Sequence, residues 1–275
     1  MSFEITAASV DEIRLMSTWA HDEGWNPGRS DPQAFAPADP SGFLIGRLDG
    51  EPVACVSAIR YGNGFGFIGF YIARPAVRGQ GYGIQLWRAA TQRLSGRLIG
   101  LDGVVAQQPN YRKSGFIRAW NNVRFEGTPS TVDSQVRLVD ARSLPFTQIA
   151  EYDRRFFPEP RDAFLSTWLS LPDRTTRVAL RDNTITGLAV RRDAQGPSRI
   201  GPLYADTPDT AAALLNSVAA GTPVAIDVPD ANPAAVRLVH EAGLTPTFEA
   251  ARMYTGPAPE LALSQIYGVT TLELG

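Results

Sequence analysis

The feature that most constrains the fold of this chain is a glycine-rich run between a predicted strand and a predicted helix. Residues 78–83 read RGQGYG, after a strand-like stretch at 65–73 and before a helix-like stretch at 84–94. Glycines adopt positive φ angles and let the backbone approach a ligand closely. The first turn of a helix has N–H groups without intrahelical acceptors and the positive end of the helix dipole. The run therefore predicts an anion site, with a phosphate or pyrophosphate as its natural ligand.

Composition excludes several classes of protein. The 275 residues predict one large domain or two of ordinary size, and 44% hydrophobic with 20% charged residues is typical of a globular chain. The net charge of −2 argues against a nucleic-acid partner, because proteins that grip phosphate backbones are usually basic. No apolar run approaches about 20 residues, so we expect no membrane span, and the acidic start without a signal-peptide pattern predicts a cytoplasmic protein. With the single cysteine Cys55, no disulfide can form within the chain.

Two familiar nucleotide-binding motifs do not match the glycine run. A Walker loop ends in Gly-Lys-Ser/Thr, whereas residues 83–85 read GIQ. A dinucleotide fingerprint needs a third glycine at a set interval and an acid about 20 residues further on, after a parallel βαβ unit. A tight turn that simply requires glycines stays open as an alternative at this point.

The two halves of the sequence repeat one order of elements. The first half is predicted as helix, antiparallel strands, helix, strand, helix, strand, and the second repeats that order after a small-residue stretch, GTPSTVDS. A shift of 128 residues lays KSGF at 113–116 on EAGL at 241–244. We interpret this as an internal duplication, with domains at 1–126 and 136–275 joined by a linker at 127–135.

Residues 72–83 and the following helix resemble the coenzyme A signature of the GNAT acyltransferase superfamily, Arg/Gln-x-x-Gly-x-Gly/Ala. Arg78, Gly81 and Gly83 fill its fixed positions. The resemblance implies an α+β fold with two GNAT-like domains, each a mixed, mostly antiparallel sheet flanked by helices. It implies that acetyl-CoA is bound, with its pyrophosphate on the loop and its pantetheine arm along the preceding strand. The implied contacts are Tyr71, Ile72, Ala73, Arg78, Gly79, Gln80, Gly81, Tyr82 and Gly83.

A second motif agrees with the first. Residues 111–116 read YRKSGF, similar to the Tyr-x-x-x-Gly-Phe helix of the same superfamily. The resemblance implies that Tyr111 protonates the departing thiolate. An ordinary half-buried tyrosine is the alternative.

The general base and the acceptor contacts are less clearly marked. Many members of the superfamily carry a glutamate on the strand before the loop, but residues 68–71 read IGFY. An alkylamine with a pKa near 10.4 is almost wholly protonated at pH 7, so a base is needed. The candidates are His21, Asp22, Glu23 and Asp102. Residues predicted to contact the acceptor are Glu23, Trp25, Asn26, Gln107 and Asp227.

The second half is predicted to bind no cofactor. The same shift of 128 residues places Asp206 at the position of Arg78, Asp209 at that of Gly81, and Val239 at that of Tyr111. Acids would repel a pyrophosphate, and a valine has no proton to donate. Several phrases in this half resemble the C-terminal domain of tandem GNAT proteins.

The sequence therefore predicts an acetyl-CoA-dependent N-acetyltransferase of a small-molecule primary amine, with one active site in the N-terminal domain. No metal is predicted, and a homo-oligomer is left open. The alternative from another class is a sensor or scaffold that binds acyl-CoA without turnover.

Overall fold

The two halves of the chain share one order of strands and helices. The computed structural model describes residues 2–131 and 134–275. The elements of the first half are β1 (Phe3–Ala7), α1 (Val10–Asp22), α2 (Asp31–Phe35), β2 (Phe43–Leu48), β3 (Glu51–Tyr61), β4 (Phe65–Ala73), α3 (Tyr82–Arg93), β5 (Leu98–Val104), α4 (Gln108–Lys113) and β6 (Ile117–Gly127). Those of the second half are β7 (Arg137–Val139), α5 (Phe146–Asp153), α6 (Asp162–Ser170), β8 (Arg174–Arg181), β9 (Thr184–Arg192), β10 (Ser198–Ala205), α7 (Pro208–Ala219), β11 (Val224–Pro229), α8 (Pro233–Glu241), β12 (Thr245–Tyr254) and β13 (Ile266–Gly268).

The described strands form one continuous mixed sheet flanked by helices, which confirms the predicted fold class. The strand order is β1-β2-β3-β4-β5-β12-β6-β11-β10-β9-β8-β7, and β13 pairs with β10. Within the described residues, β4–β5 and β10–β11 are the two parallel pairs, and the other pairs are antiparallel. The predicted linker 127–135 includes residues 132 and 133, which lie outside the described part of the chain.

The two halves exchange their last long strands. β12 of the second half lies between β5 and β6 of the first half, and β6 in turn pairs with β11 of the second half. The boundaries 1–126 and 136–275 thus divide the sequence, whereas the sheet runs across both. Ile117 and Thr245, where β6 and β12 begin, are 128 residues apart, the shift found in the sequence.

A buried ion pair fixes the register of each exchanged strand. Arg124 of β6 stands opposite Asp227 of β11, with Nε 2.9 Å from Oδ1. Arg252 of β12 stands opposite Asp102 of β5, with Nε and Nη2 each 2.8 Å from a carboxylate oxygen. A slip by one residue would turn each arginine to the other face of the sheet and leave a buried charge unpaired. The pairs therefore favour one register for each exchanged strand.

The segment that contains β13 fills the gap where the parallel strands β10 and β11 of the second half separate. We call such a pair of parallel strands a parallel junction. β10 and β11 pair only from Ser198 to Ile200 on β10, after which β13 pairs with β10 through Leu203 and Tyr204. The segment then bonds to β11 as well, since the Val269 N–H donates to the Asp227 carbonyl at 2.9 Å. Backbone groups on the facing edges of both strands thus find hydrogen-bond partners within the protein itself.

Four elements, β1, α2, α6 and β13, were not predicted from the sequence. The five-residue helix α2 is too short to be stable on its own. Its Phe35 is fully buried and stacks on Trp168 of α6, with ring centroids 6.1 Å apart. Tertiary packing of this kind, rather than local periodicity, stabilises α2.

Candidate active site

The first half has an open wedge between β4 and β5. These parallel strands pair only from Phe65–Leu98 to Ile68–Leu101, and β4 then continues without β5. The separation coincides with a bulge, because β4 has one extra residue between the partners of Ser57 and Cys55. Phe70, within the bulge, has a φ of 47°. A bulge bends its strand and redirects the backbone polar groups. The wedge thus exposes the β4 edge to an extended, amide-containing ligand.

The glycine loop lies at the outer end of this wedge. Gly81 is the N-cap of α3 with a φ of 85°, a conformation that favours glycine. Gly83 packs closely under Tyr71, since a Cβ there would lie 3.0 Å from the Tyr71 hydroxyl. The N–H groups that follow have no intrahelical acceptor and lie at the positive end of the helix dipole. The loop can therefore hold a diphosphate.

Arg78 links the loop to the residues after α1. Its Nε donates to the Ala73 carbonyl at 2.8 Å, and its guanidinium forms an ion pair with Glu23. Gly24, with a φ of 79°, turns the chain after α1 and brings Trp25 over the wedge. A residue predicted for the cofactor and one predicted for the acceptor are thus in direct contact.

These groups line a surface groove of about 630 Å³. Seven of the nine predicted cofactor residues line it: Tyr71, Ile72, Ala73, Arg78, Gly79, Gly81 and Gly83. The side chains of the other two point elsewhere. The Gln80 amide donates to the Ala76 carbonyl at 2.9 Å, and the Tyr82 ring packs on Phe3 with centroids 4.7 Å apart.

A smaller inner cavity of about 70 Å³ continues from the groove. The residues common to both are Trp25, Tyr71, Val104, Gln107 and Phe248. Gln107 uses its side-chain oxygen to accept from Asn110 at 2.9 Å, and its amide N–H groups have no hydrogen-bond partner among the described residues. Phe248 comes from β12, so the exchanged strand supplies part of the cavity wall.

Tyr111 lies in the wall of the inner cavity. Its ring packs against Trp87, with centroids 5.3 Å apart, and the residue is 8% exposed. Its hydroxyl makes no hydrogen bond to any of the described residues. Burial, and to a smaller extent the neighbouring Tyr71, raises the pKa of Tyr111 well above its ordinary value. The phenol therefore keeps its proton at neutral pH, as a general acid must.

Arg124 forms the floor of the cavity and is held from behind by Asp227. Arg124 and Arg199 both bond to the Asp227 carboxylate and both donate to the Trp25 carbonyl, at 2.8 and 3.2 Å. Burial alone would raise the pKa of Asp227, but the two guanidinium charges outweigh it and lower this pKa. Asp227 itself does not line the cavity. Contact between Asp227 and an acceptor stays a prediction from the sequence.

Asn26 lies outside both the groove and the inner cavity. Its Nδ2 donates to the Pro197 carbonyl and its Oδ1 accepts from the Gly196 N–H, each at 3.0 Å. These bonds tie the loop after α1 to the second half. Contact between Asn26 and an acceptor stays a prediction from the sequence.

The four predicted base candidates differ in their surroundings. Asp22 pairs with Arg74 at 2.8 Å at the surface, next to half-exposed His21, and Glu23 pairs with Arg78. Asp102 lines the cavity, yet Arg252 binds both of its oxygens and the Asn122 amide donates to one of them at 2.8 Å. Burial, despite Arg252, raises the pKa of Asp102.

Sequence reasoning missed one acidic residue of the cavity wall, Glu273. This glutamate is 4% exposed and stands in the run VTTLEL, close to the end of the sequence. Glutamate is almost never fully buried unless it is paired. A lone acid in an apolar run was the available signal, but its position in space depends on the whole fold.

Comparisons with known proteins place the chain in one class, the acyltransferases. The model of the Acetyltransferase (GNAT) family matches residues 10–116, and the model of an Acetyltransferase (GNAT) domain matches residues 149–268. The chain belongs to the GNAT superfamily, carries two GNAT domains in tandem, and is an acyltransferase.

Three relatives show how far the similarity extends. Holothin acyltransferase of Pseudoalteromonas sp. (strain SANK 73390) is 31% identical over 274 residues, which cover 98% of this chain and 93% of the relative. A putative acetyltransferase from Pyrococcus horikoshii has a TM-score of 0.83 at 23% identity, with 99% of this chain and 96% of that chain covered. A tandem GNAT protein from the clavulanic acid biosynthesis pathway has a TM-score of 0.64 at 14% identity, with 94% and 100% covered.

None of the helices in the described residues is long and apolar enough to cross a membrane. No group of three or more potential metal-ligating His, Cys, Asp or Glu side chains occurs in the same part of the chain.

Proposed function

We propose that this protein transfers an acetyl group from acetyl-CoA to the primary amine of a small molecule, at a single site in its first half. The observation that carries the proposal is the open wedge between β4 and β5. It has a helix N-terminus at its outer end and the Tyr111 phenol at its inner end. Such a path suits a long ligand with an anionic head and a reactive tail.

The residues of the groove fit an acyl-CoA. The loop N–H groups and Arg78 would hold the diphosphate, and the free edge of β4 would bond to the amides of the pantetheine arm. When bound, the coenzyme supplies a thioester, whose acyl carbon is open to attack by an amine. Bulged β4 N–H groups near Tyr71 can donate to the carbonyl oxygen as negative charge develops there. Tyr111 can donate its proton to the thiolate that leaves.

The shape of the inner cavity supports a small acceptor. The cavity of about 70 Å³ is enclosed by residues of both halves, with Trp25 and Phe248 at its mouth. Aromatic faces attract cationic groups such as an ammonium, which favours an amine. The relative that is 31% identical is named for acylation of holothin. The reaction draws on the acyl-CoA of the cytoplasm, where we place the protein.

The test is incubation of the full chain with acetyl-CoA and a panel of alkylamines, arylamines and amino acids. Release of free thiol, together with the mass of an N-acetylated product, is the expected result. If coenzyme A binds in calorimetry but no amine of a wide panel yields thiol, the protein is instead an acyl-CoA-binding sensor. If coenzyme A gives no binding heat at all, the assignment of the groove is wrong.

A further inference from the structure

Among the described residues, three carboxylates line the inner cavity or lie directly behind it. In two of them, both oxygens accept hydrogen bonds from arginine. Asp102 accepts two hydrogen bonds from Arg252 and one from Asn122. Asp227 is bound by Arg124 and Arg199. An arginine that holds both oxygens of a carboxylate leaves few lone pairs for an incoming proton.

Glu273 is different, because no cation in the described part of the chain forms an ion pair with it. Among the described residues, its carboxylate has one hydrogen-bond partner, the Thr271 hydroxyl. Arg124 and Arg199 are near enough to interact electrostatically with Glu273. The hydrogen bonds that Arg124 forms go to Asp227 and to the Trp25 carbonyl instead. Glu273 lines the same cavity as Tyr111, and its Oε1 has no hydrogen-bond partner among the described residues.

The backbone of Glu273 crosses β4 where the wedge opens. A Cβ built on Gly69 would lie 2.0 Å from the Glu273 carbonyl oxygen, so only glycine permits the crossing. Gly69 precedes Phe70, the bulge residue with positive φ. β4 itself carries no acid at this place, and the crossing segment brings one to it.

The crossing segment is anchored on both sides of Glu273. The Tyr61 hydroxyl donates to the Leu274 carbonyl at 3.0 Å. Arg161 donates to the Gly275 carbonyl at 3.0 Å and to the Thr270 hydroxyl at 2.9 Å. Fixed neighbours of this kind hold a side chain in one position before the substrate arrives.

We propose that Glu273 is the general base of the acyl transfer, an inference that rests on the proposed function. Glu273 takes one proton from the acceptor ammonium. The freed nitrogen lone pair forms the C–N bond to the acyl carbon, and the C–S bond breaks with its electron pair on sulfur. Tyr111 gives its proton to that sulfur and regains one from the amide nitrogen. The proton on Glu273 then passes to solvent.

The test compares the wild type with Glu273→Gln, using acetyl-CoA and benzylamine, or the best alkylamine of the panel. At pH 7, we expect kcat/KM to fall by about 10²- to 10⁴-fold, the usual contribution of a general base. Between pH 7 and 9, the kcat/KM of the variant should rise about tenfold per pH unit. The reason is that the fraction of neutral amine rises tenfold per unit below the pKa of the amine. Coenzyme A affinity, measured by calorimetry, should stay within threefold.

Other titratable groups near Glu273 could also shape the pH profile, so the comparison needs controls. They are Asp102, Arg124, Arg199 and Tyr111, which both proteins share. Glu260→Gln, an exposed acid of the same C-terminal region, should behave as the wild type. Glu273→Asp keeps a carboxylate with shorter reach. It should show intermediate activity with a wild-type pH profile, and it decides the matter if Glu273→Gln does not fold.

Two results would overturn the inference while leaving the proposed function intact. One is a Glu273→Gln protein with wild-type activity and pH profile. The other is equal loss at every pH together with weakened coenzyme A binding, which would indicate a structural role. If the wild type transfers acetyl to none of the amines, both proposals are overturned. This result needs no variant.

Discussion

The described sheet has two parallel junctions, the strand pairs β4–β5 and β10–β11. They have the same topology, but the first is open and the second is filled. In the first half, the strands separate after Ile68 and leave a groove of about 630 Å³. In the second half, they separate after Ile200, and β13 fills the gap. A splayed strand pair thus needs a partner for its exposed edge. The second half supplies that partner from its own chain, and we propose that the first takes it from the cofactor.

One segment takes part in both junctions. After β13, the backbone crosses β10 at Gly201, where a Cβ would lie 2.3 Å from the Thr270 carbonyl oxygen. Three residues later it crosses β4 at Gly69 in the same manner. The segment that closes the second junction therefore also forms a wall of the first. This is a physical reason for the two halves to remain in one chain.

The largest expected effect is on the ion pairs that hold the exchanged strands. Asp227→Asn leaves Arg124 and Arg199 buried without their counter-charge, and we expect it to lower the free energy of unfolding by about 3–5 kcal/mol. Urea denaturation at pH 7 measures it. Asp102→Asn removes the partner of one arginine, Arg252, and should cost less at pH 7, because burial raises the pKa of Asp102 and disfavours its charged form. A loss larger than that of Asp227→Asn would contradict the comparison.

The stability that each of these two variants loses relative to the wild type should depend on pH, with opposite sign for Asp227 and Asp102. The pKa of Asp227 is lowered, by two arginines against burial, so its contribution to stability exists above about pH 3.9 and is lost as pH falls through the folded-state pKa. The pKa of Asp102 is raised by burial, so its contribution exists below about pH 3.9 and is lost as pH rises through the folded-state pKa. Parallel pH curves for the two variants would refute this difference.

The next largest effect is expected on turnover, when the Tyr111 phenol of the open junction is removed. Tyr111→Phe should lower kcat by about 10- to 1000-fold, because the thiolate loses its proton donor, with coenzyme A affinity nearly unchanged. The matched control is Tyr267→Phe in β13, a buried tyrosine of the filled junction. Thiol release and calorimetry report the two quantities. Equal turnover of Tyr111→Phe and wild type would remove Tyr111 from the mechanism.

The paired glycines give a smaller, structural effect. Gly69→Ala and Gly201→Ala each place a methyl group against the crossing backbone, and we expect each to cost about 1–3 kcal/mol of unfolding free energy. Gly69→Ala should also reduce kcat, because it displaces the segment at Glu273. Thermal unfolding and turnover together make the test. If neither glycine matters for stability, the segment does not cross the strands as described.

The smallest effect is expected at the mouth of the groove. Arg78→Ala should weaken coenzyme A binding by roughly tenfold, since one charge-assisted hydrogen bond is lost while the helix N–H groups remain. Arg74→Ala is the control, because Arg74 pairs with Asp22 and does not line the groove. Unchanged affinity in Arg78→Ala, measured by calorimetry, would place the diphosphate elsewhere.

The sequence by itself determined the parts of this protein that rest on local rules. The glycine run before α3, the motif around Tyr111 and the repeated order of elements all depend on residues close together in the chain. Positive φ angles, helix N-termini and hydrophobic periodicity act over a few residues, so they can be read without the fold.

Only the tertiary structure decided the strand exchange, the filled second junction and the position of Glu273. Each depends on segments far apart in sequence, such as Gly69 and the backbone of Glu273. A short strand like β13 carries too little periodicity to show its partner, and a glutamate in an apolar run does not reveal which cavity it faces. The partner of an unpaired edge is settled by which groups the fold brings within hydrogen-bonding distance, and that is a property of the whole chain.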